Sequence, residues 1–341
     1  MKAAAAGQPG QVAWIELDEP AVGLGEVLLR PLACGICSTD VKLVRAGYQG
    51  GPRYALGHEL VGEIVAVGEG AKWQVGDCVA ATPYLPCGAC HYCLHGQPTL
   101  CPHLFENSLE PGGLAERVRI PRAVAERGLF PLPAGLPLEA AALAEPVGCC
   151  VQAVEECGVT AGDTVLVIGD GPMGLLCATV ARGYGASLVV IAGLTPHRLA
   201  VAEENYADAV VNVVNEELRE RVLALTEDRG ADVVMVTVSS TEAVEAGLNA
   251  LRPGGLLNAF AGVPKGSTIQ LDLRQLHYQQ IHLTGSFGVG PYHVAQALQL
   301  LAAGRLNVAP LVTATFPFEE TEEAVGYAME LTGLKAVVLF G

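Results

Sequence analysis

Four cysteines lie close together in the first third of the chain, at Cys87, Cys90, Cys93 and Cys101. The first three recur at every third position on a loop flanked by Gly and Pro, and seven residues separate the third from the fourth. Four thiolates at this spacing suit a tetrahedral zinc ion; an iron–sulfur cluster is the alternative, although its cysteines are usually spaced differently. Because four thiolates close a tetrahedral shell, the sequence predicts a structural site that holds together a lobe at about residues 85–103.

A second set of possible ligands is dispersed over the same part of the chain and comprises Cys37, His58, Glu59 and Glu145. One thiolate, one imidazole and two carboxylates form the mixed shell of a catalytic zinc with an exchangeable position. Cys34 stands three residues before Cys37, in the spacing of a redox pair, but we interpret it as a small buried residue.

A glycine-rich turn follows an apolar run, Thr164–Ile168, that is predicted to be a strand. A segment with helical spacing comes next, which completes the strand, turn and helix of a dinucleotide site. Glycines there permit a sharp turn, close approach to a pyrophosphate and tight packing of the helix, whose first N–H groups face the phosphates. The predicted cofactor contacts in this turn are Gly169, Gly171, Pro172, Met173 and Gly174.

The end of the second predicted strand bears on the choice between NAD and NADP. A site that prefers NAD usually carries an acid there, which holds the ribose 2′-hydroxyl. Gly193 occupies that position here, and Thr195 and Arg198 could hydrogen-bond or pair with a 2′-phosphate. The sequence therefore slightly favours NADP, with NAD as the alternative. In the alternative interpretation, Arg198 is a solvated residue at the start of a helix.

Length and composition limit the classes of protein to consider. With 341 residues the chain is long enough for two domains, and its 51% hydrophobic and 16% charged residues are typical of a globular protein. A formal net charge of −16 argues against nucleic acid or an anionic membrane as a partner. Neither a signal peptide nor an apolar run long enough to span a bilayer is present, so we expect a cytoplasmic protein whose eleven cysteines are metal ligands and buried thiols.

Two patterns of elements must position these residues. Residues 1–147 contain short valine-rich runs separated by Gly and Pro, which predicts a β-rich, barrel-like domain. From residue 148 to 287 strands alternate with helices, which predicts a doubly wound, mostly parallel six-stranded sheet of the α/β class. Its predicted strands are Thr164–Ile168, Leu188–Ala192, Ala209–Val211, Asp232–Val238, Leu256–Gly262 and Ile281–Phe287.

Together these motifs resemble the zinc-dependent medium-chain dehydrogenases along the whole chain. GICSTD, the GHE at residues 57–59, the four-cysteine lobe, EPVG and GDGPMG occur in the family's order. The resemblance implies a GroES-like catalytic domain formed by residues 1–147 and 288–341, a Rossmann domain formed by residues 148–287, and an active site in the cleft between them. It also implies zinc and NAD or NADP as cofactors, and a homodimer or homotetramer.

The resemblance further assigns roles to the second ligand set. Cys37 and His58 would be zinc ligands, and Glu59 would be the third ligand or would hold zinc through water. Glu145 would exchange with Glu59 or fix the zinc-bound water. Thr39 falls where the family places the hydroxyl that starts a proton relay.

A glutamate at position 145, where the alcohol dehydrogenases of the family carry a cysteine, resembles the sorbitol (iditol) dehydrogenase branch. That branch implies oxidation of a secondary hydroxyl of a polyol or sugar alcohol to a ketone, with hydride transfer to NAD or NADP. Gly288 and Val289 depart from it, because the sorbitol enzymes carry an arginine and a tyrosine there. Threonine, an aldose or another secondary alcohol is the alternative substrate, and a non-catalytic nicotinamide-binding protein is the alternative of a different class.

Overall fold

Two units are built from different stretches of the chain in the computed structural model, which describes residues 1–49, 55–331 and 333–341. The first unit comprises Met1–Gly148, Val289–Gly304 and Leu311–Gly341. The second comprises Cys149–Gly288 and Arg305–Pro310. Within the described ranges, no helix is long and apolar enough to cross a membrane.

Up to residue 156 the chain forms mostly short strands and helices. They are β1 (Lys2–Ala6), β2 (Val12–Glu16), β3 (Val27–Gly35), α1 (Ser38–Ala46), β4 (Glu59–Val67), β5 (Cys78–Ala81), α2 (His91–Leu94), β6 (Val118–Ile120), α3 (Arg122–Arg127), β7 (Leu129–Pro131), α4 (Leu138–Ala141) and α5 (Ala144–Glu156). The boundary between the two units falls inside α5.

Strands and helices alternate regularly in the second unit, after which the chain returns to the first. The second unit contains β8 (Thr164–Ile168), α6 (Pro172–Gly183), β9 (Leu188–Gly193), α7 (Pro196–Asn205), β10 (Ala209–Asn212), α8 (Leu218–Leu225), β11 (Ala231–Val236), α9 (Thr241–Ala250), β12 (Leu251–Ala259), α10 (Leu273–Gln279) and β13 (His282–Gly285). The returning part contains α11 (Pro291–Ala302), β14 (Val312–Pro317), α12 (Thr321–Glu330) and β15 (Lys335–Leu339).

The first unit is built on a mainly antiparallel sheet, which confirms the predicted β-rich domain. Its strand order is β14-β15-β3-β4-β5-β7, with β6 paired to β3, and β1 and β2 form a separate pair. The long strands β3 and β4 pair with Gly35 opposite Glu59, and β15 pairs with the other side of β3 with Val337 opposite Gly35. Side chains such as Leu29 and Ile64 on these central strands are completely buried.

The second unit contains a parallel sheet with the strand order β10-β9-β8-β11-β12-β13, which confirms the predicted doubly wound fold. Every residue of the central strand β8 is buried, as an unbroken aliphatic run in a parallel sheet should be. Most of the predicted strand bounds differ from the observed ones by one to three residues, and the largest error is at β12, which begins at Leu251 and not at Leu256. Leu251 already pairs with Ala231, and a register shift carries the strand through the turn-like Pro and Gly residues that follow.

Candidate metal centres and dinucleotide site

The residues that follow β3 and those that precede β4 lie side by side, because the two strands are antiparallel neighbours. Cys37 stands at the start of α1, two residues after β3, whereas His58 directly precedes β4 and Glu59 begins it. One possible ligand atom from each of Cys37, His58 and Glu59 lies within 4.8 Å of the others. Glu145, in the first turn of α5, is outside this group. The structure thus brings together three of the four predicted ligands.

A buried carboxylate holds the two loops that carry these ligands. Asp40 is only 1% exposed and accepts hydrogen bonds from the backbone N–H groups of Cys37 (2.9 Å) and Gly57 (2.8 Å). Its Oδ1 also lies 3.8 Å from Nδ1 of His58. Asp40 therefore fixes the backbone on both sides of the site and places a negative charge behind the imidazole, as carboxylates behind metal-binding histidines do.

The charges around His58 decide its protonation. Burial by itself lowers the pKa of this imidazole, but the negative charges of Asp40 and Cys37, with a contribution from Glu145, outweigh burial and hold the pKa well above its ordinary value. A proton is thus retained where a metal ion would bind. The same negative charges that favour the imidazolium ion favour a divalent cation in its place.

A buried ion pair at Glu59 reaches across the central strand of the sheet. Nζ of Lys335, on β15, lies 2.5 Å from Oε1 of Glu59, on β4, and neither side chain is more than 4% exposed. Strand β3 runs between them, and Gly35 permits the contact because a Cβ there would lie 1.9 Å from Oε2 of Glu59. Burial by itself lowers the pKa of Lys335, but the charge of Glu59 outweighs this and raises it. Sequence analysis missed Lys335, although a lone lysine at the start of the apolar run KAVVL was a signal.

The donor set at this centre fits a zinc ion. Oε2 of Glu59 is buried and has no hydrogen-bond partner within the described part of the chain. A buried carboxylate oxygen in that state is costly, and a cation bound by it, a thiolate and an imidazole removes the cost. Thr39, in the first turn of α1, is exposed, whereas Cys34 is completely buried and outside the ligand group.

The four cysteines of the predicted lobe converge around α2, where all four are free thiols with sulfur atoms within 4.8 Å of one another. Sγ of Cys93 lies 3.5 Å from that of Cys90 and 3.9 Å from that of Cys87. These separations match the edge, about 3.8 Å, of a tetrahedron with zinc–sulfur bonds of about 2.3 Å. The backbone N–H groups of Ala89 and Cys90 donate to Cys87 and lower the pKa of its thiol to about 6, whereas burial raises the pKa of the neighbouring Cys93 to about 12. Without a metal ion the negative charge is therefore concentrated on Cys87.

The glycine turn lies between β8 and α6, in the second unit. Gly169 has a φ of +133°, which favours glycine, and a Cβ at Gly174 would lie only 1.9 Å from the carbonyl oxygen of Gly169. A Cβ at Gly171 would meet nothing within 4 Å, so this glycine borders open space at the start of α6. Pro172 and Met173 are the first two residues of that helix. Open space beside the free N–H groups of a helix's first turn suits a pyrophosphate.

A carboxylate fills the space beside Gly193 at the end of β9. Oδ2 of Asp170, in the glycine turn, accepts hydrogen bonds from the N–H groups of Leu194 (3.0 Å) and Thr195 (2.7 Å). A Cβ at Gly193 would lie 2.5 Å from this oxygen. The strand end itself carries no acid, as the sequence indicated, but the space beside it does. Arg198 is only 6% exposed, so it is not the solvated residue of the alternative interpretation.

Comparisons with known proteins cover both units. Residues 23–134 match the alcohol dehydrogenase GroES-like domain, and residues 172–303 match the zinc-binding dehydrogenase family. The chain is 32% identical to D-arabitol-phosphate dehydrogenase of Enterococcus avium, over 99% of this chain and 97% of the relative. It is 30% identical to sorbitol dehydrogenase of Bacillus subtilis strain 168, over 97% of this chain and 94% of the relative.

Similar solved structures include one with bound NADP and one with bound NADH. The structure with NADP is described as a zinc-binding dehydrogenase from Sinorhizobium meliloti 1021, and it is 26% identical to this chain with a TM-score of 0.90. The match covers 99% of this chain and 98% of that chain.

Proposed function

Because the chain belongs to the zinc-dependent medium-chain dehydrogenase family, we propose that it oxidises a secondary hydroxyl of a polyol or sugar alcohol to a ketone and transfers the hydride to NAD or NADP. The observation that carries this proposal is the convergence of Cys37, His58 and Glu59 within 4.8 Å. Similarity to sorbitol and D-arabitol-phosphate dehydrogenases supports a polyol as the substrate.

Cys37, His58 and Glu59 are the proposed ligands of the catalytic zinc, with Glu145 as the group that exchanges with Glu59. When bound, zinc acts as a Lewis acid that lowers the pKa of an alcohol hydroxyl. Lys335 occupies Oε1 of Glu59, which leaves Oε2 for the metal ion. The four cysteines of the lobe are the proposed ligands of a second, structural zinc.

Proton and hydride leave the substrate by different routes in this proposal. Thr39 is exposed in the first turn of α1, and its hydroxyl is the proposed start of a proton relay: it accepts the alcohol proton as it passes its own proton on towards solvent. A bound nicotinamide cofactor would supply the hydride acceptor. The glycine turn, through the open space at Gly171 and the first turn of α6, is the proposed holder of the pyrophosphate, with Gly193, Thr195 and Arg198 near the adenosine ribose. The alcohol and the oxidised nicotinamide cofactor would thus give a ketone, the reduced cofactor and one proton.

Two features bear on the substrate. A glutamate ligand in place of a thiolate makes zinc a harder acid, which favours additional oxygen ligands such as those of a vicinal diol. Val289 is completely buried, and its N–H donates to Oη of Tyr84 at 3.1 Å, so it offers no polar side chain to a polyol. Threonine or an aldose therefore remains the alternative substrate. A cytoplasmic location and a homodimer or homotetramer remain predictions from the sequence.

An initial-rate screen that follows reduced nicotinamide tests the proposal. Hexitols, pentitols, a pentitol phosphate, cyclitols, aldoses, threonine and butanediol would each be offered with NAD and with NADP, before and after zinc chelation. We expect a rate on at least one polyol that chelation abolishes. Activity confined to threonine or an aldose would contradict the polyol assignment, and a rate that survives loss of zinc from the Cys37 site would contradict the zinc mechanism.

A further inference from the structure

One side chain, that of Asp170, connects the glycine turn to the end of β9. Asp170 is 8% exposed, and its Oδ2 accepts the N–H groups of Leu194 and Thr195, the two residues that follow the strand. A Cβ on Gly193 would lie 2.5 Å from Cβ and Oδ2 of Asp170 and 2.6 Å from its Cγ. The Asp170 carboxylate therefore occupies the volume that a side chain at position 193 would take.

That volume is the place where dinucleotide sites present a negative charge to the adenosine ribose. An acid at the end of the second strand hydrogen-bonds the ribose 2′-hydroxyl, and its charge opposes a 2′-phosphate. Strand β9 is that second strand, paired in parallel with β8. A carboxylate has about four acceptor positions, so the two backbone N–H groups do not exhaust the capacity of Asp170 for a hydroxyl group.

We propose that Asp170 is a specificity-determining residue whose carboxylate replaces the acid missing at Gly193, binds the ribose 2′-hydroxyl of NAD and repels the 2′-phosphate of NADP. The inference rests on the proposed function, because it requires a dinucleotide at this turn. It reverses the lean towards NADP that Gly193 suggested in the sequence. Arg198 does not restore a phosphate site, since only 6% of it is exposed.

Calorimetric binding to the full chain tests this, with 5′-AMP as the probe of the 2′-hydroxyl, 2′,5′-ADP as the probe of the 2′-phosphate, and NAD and NADP measured alongside. The natural protein should bind 5′-AMP at least about 10-fold more tightly than 2′,5′-ADP, because like charges in contact are strongly unfavourable. Asp170→Asn keeps the shape of the side chain and removes its charge. In this variant the ratio of the affinities for 5′-AMP and 2′,5′-ADP should fall by at least about 10-fold.

Asp163→Asn is the matched control. Oδ2 of Asp163 also accepts a hydrogen bond from a backbone N–H, that of Thr160 at 2.7 Å. Asp163 directly precedes β8, however, and so lies at the opposite end of the strand from the glycine turn. The ratio of the two affinities should be unchanged in this variant.

A double variant that moves the acid from position 170 to position 193 distinguishes a role of Asp170 in cofactor specificity from a purely structural role. The double variant Asp170→Gly with Gly193→Asp removes the three atoms nearest to a Cβ at position 193 and returns the acid to the strand end, so the preference for 5′-AMP should be restored. This variant also serves if Asp170→Asn does not fold.

Three outcomes would overturn the inference. They are equal or tighter binding of 2′,5′-ADP by the natural protein, an equal loss of both probes in Asp170→Asn, and no restored preference in the double variant. If no probe and neither dinucleotide binds to the folded natural protein, the proposed function itself fails, which is a different result from binding without discrimination.

Discussion

Glu59 and Lys335 are 276 residues apart in the chain, yet their ion pair sets the charge at the candidate catalytic centre. Lys335 binds one carboxylate oxygen and offsets its charge, while the other oxygen is buried without a hydrogen-bond partner in the described part of the chain. Gly35, which has no side chain, is what lets the two groups meet across β3. The ligand set is therefore a property of three neighbouring strands and not of the GHE segment alone.

Replacing Lys335 tests this pair. Lys335→Met should reduce the free energy of unfolding by about 3–5 kcal/mol, because it leaves a buried carboxylate without its partner. Denaturant unfolding measures the change, and adding Glu59→Gln should recover part of it. Lys42→Met, at an exposed position on α1, is the control and should change stability by less than about 0.5 kcal/mol. A loss for Lys335→Met no larger than that of the control would show that the pair contributes little.

Cys37→Ser tests the assignment of the catalytic ligands. A hydroxyl is a far weaker zinc ligand than a thiolate, so we expect the variant to lose turnover and one zinc ion per chain while it still folds and binds the dinucleotide. Metal analysis, circular dichroism and calorimetric titration with the cofactor measure these three properties. Cys78→Ser, at an exposed thiol on β5, should behave as the natural protein. Normal activity in Cys37→Ser would refute the zinc mechanism.

The raised pKa of His58 predicts how zinc binding depends on pH. In the metal-free site the protonated imidazole contributes stability that is fully present below its ordinary pKa of about 6.5 and lost as the pH rises through the raised value. Zinc needs the neutral imidazole, so zinc uptake should release protons, and the apparent affinity should fall as the pH is lowered from about 8 to about 6. Zinc titrations in buffers of different ionisation enthalpy measure both effects. An affinity for this site that does not change with pH would contradict the assignment.

At the scale of elements, two glycines between β8 and the first turn of α6 have different functions: Gly174 permits the helix to pack on the strand, and Gly171 borders open space. Gly174→Ala should destabilise the second unit, because its Cβ would lie 1.9 Å from a backbone oxygen that cannot move without the strand. Gly171→Ala should leave the unfolding temperature nearly unchanged and weaken cofactor binding, because its Cβ enters only the open space proposed for the pyrophosphate.

Thermal unfolding and cofactor titration separate the two effects. Gly326→Ala, in α12 of the first unit, where a Cβ also meets nothing within 4 Å, is the control and should leave cofactor binding unchanged. Unweakened cofactor binding in Gly171→Ala would argue against a pyrophosphate at this turn.

Elements with uniform patterns were the easiest to predict. Strand β8 matches its predicted bounds, Thr164–Ile168, because an unbroken β-branched and aliphatic run has one favourable placement, at the centre of a parallel sheet. The start of β12 could not be predicted in the same way. Residues 252–255 have the composition of a turn. They lie within a strand only because the residues on either side of them, Leu251 and Leu256, both pair with β11.

At the scale of the whole molecule, the two proposed zinc sites should fail in different ways. Cys101→Ser should lower the unfolding temperature, because it opens the shell that holds together residues 85–103, and activity should decline only as the protein unfolds. Thermal scans and rates measured at a permissive temperature test this. His95→Ala, an exposed residue of the same lobe, should leave both properties unchanged. Immediate loss of turnover in a folded Cys101→Ser protein would contradict a structural role.

The sequence by itself determined the features that depend on local spacing. Cys87, Cys90 and Cys93 are close because three-residue steps on a tight loop bring their sulfur atoms together. Gly169 and Gly174 mark the turn because only glycine fits the backbone geometry there. The alternating patterns of strands and helices predicted the parallel sheet, and the order of the motifs along the chain indicated the family.

Only the tertiary structure decided the contacts between distant segments. Lys335 meets Glu59 because the last strand pairs with β3, and the Asp170 carboxylate stands beside Gly193 because β8 and β9 are neighbours in register. Spacing along the chain encodes local geometry, whereas the partner of a side chain across a sheet depends on strand order and register. Strand order and register are set by the packing of the whole unit. For that reason the sequence shows no acid at the end of β9, whereas in the structure the carboxylate of Asp170 lies beside that strand end.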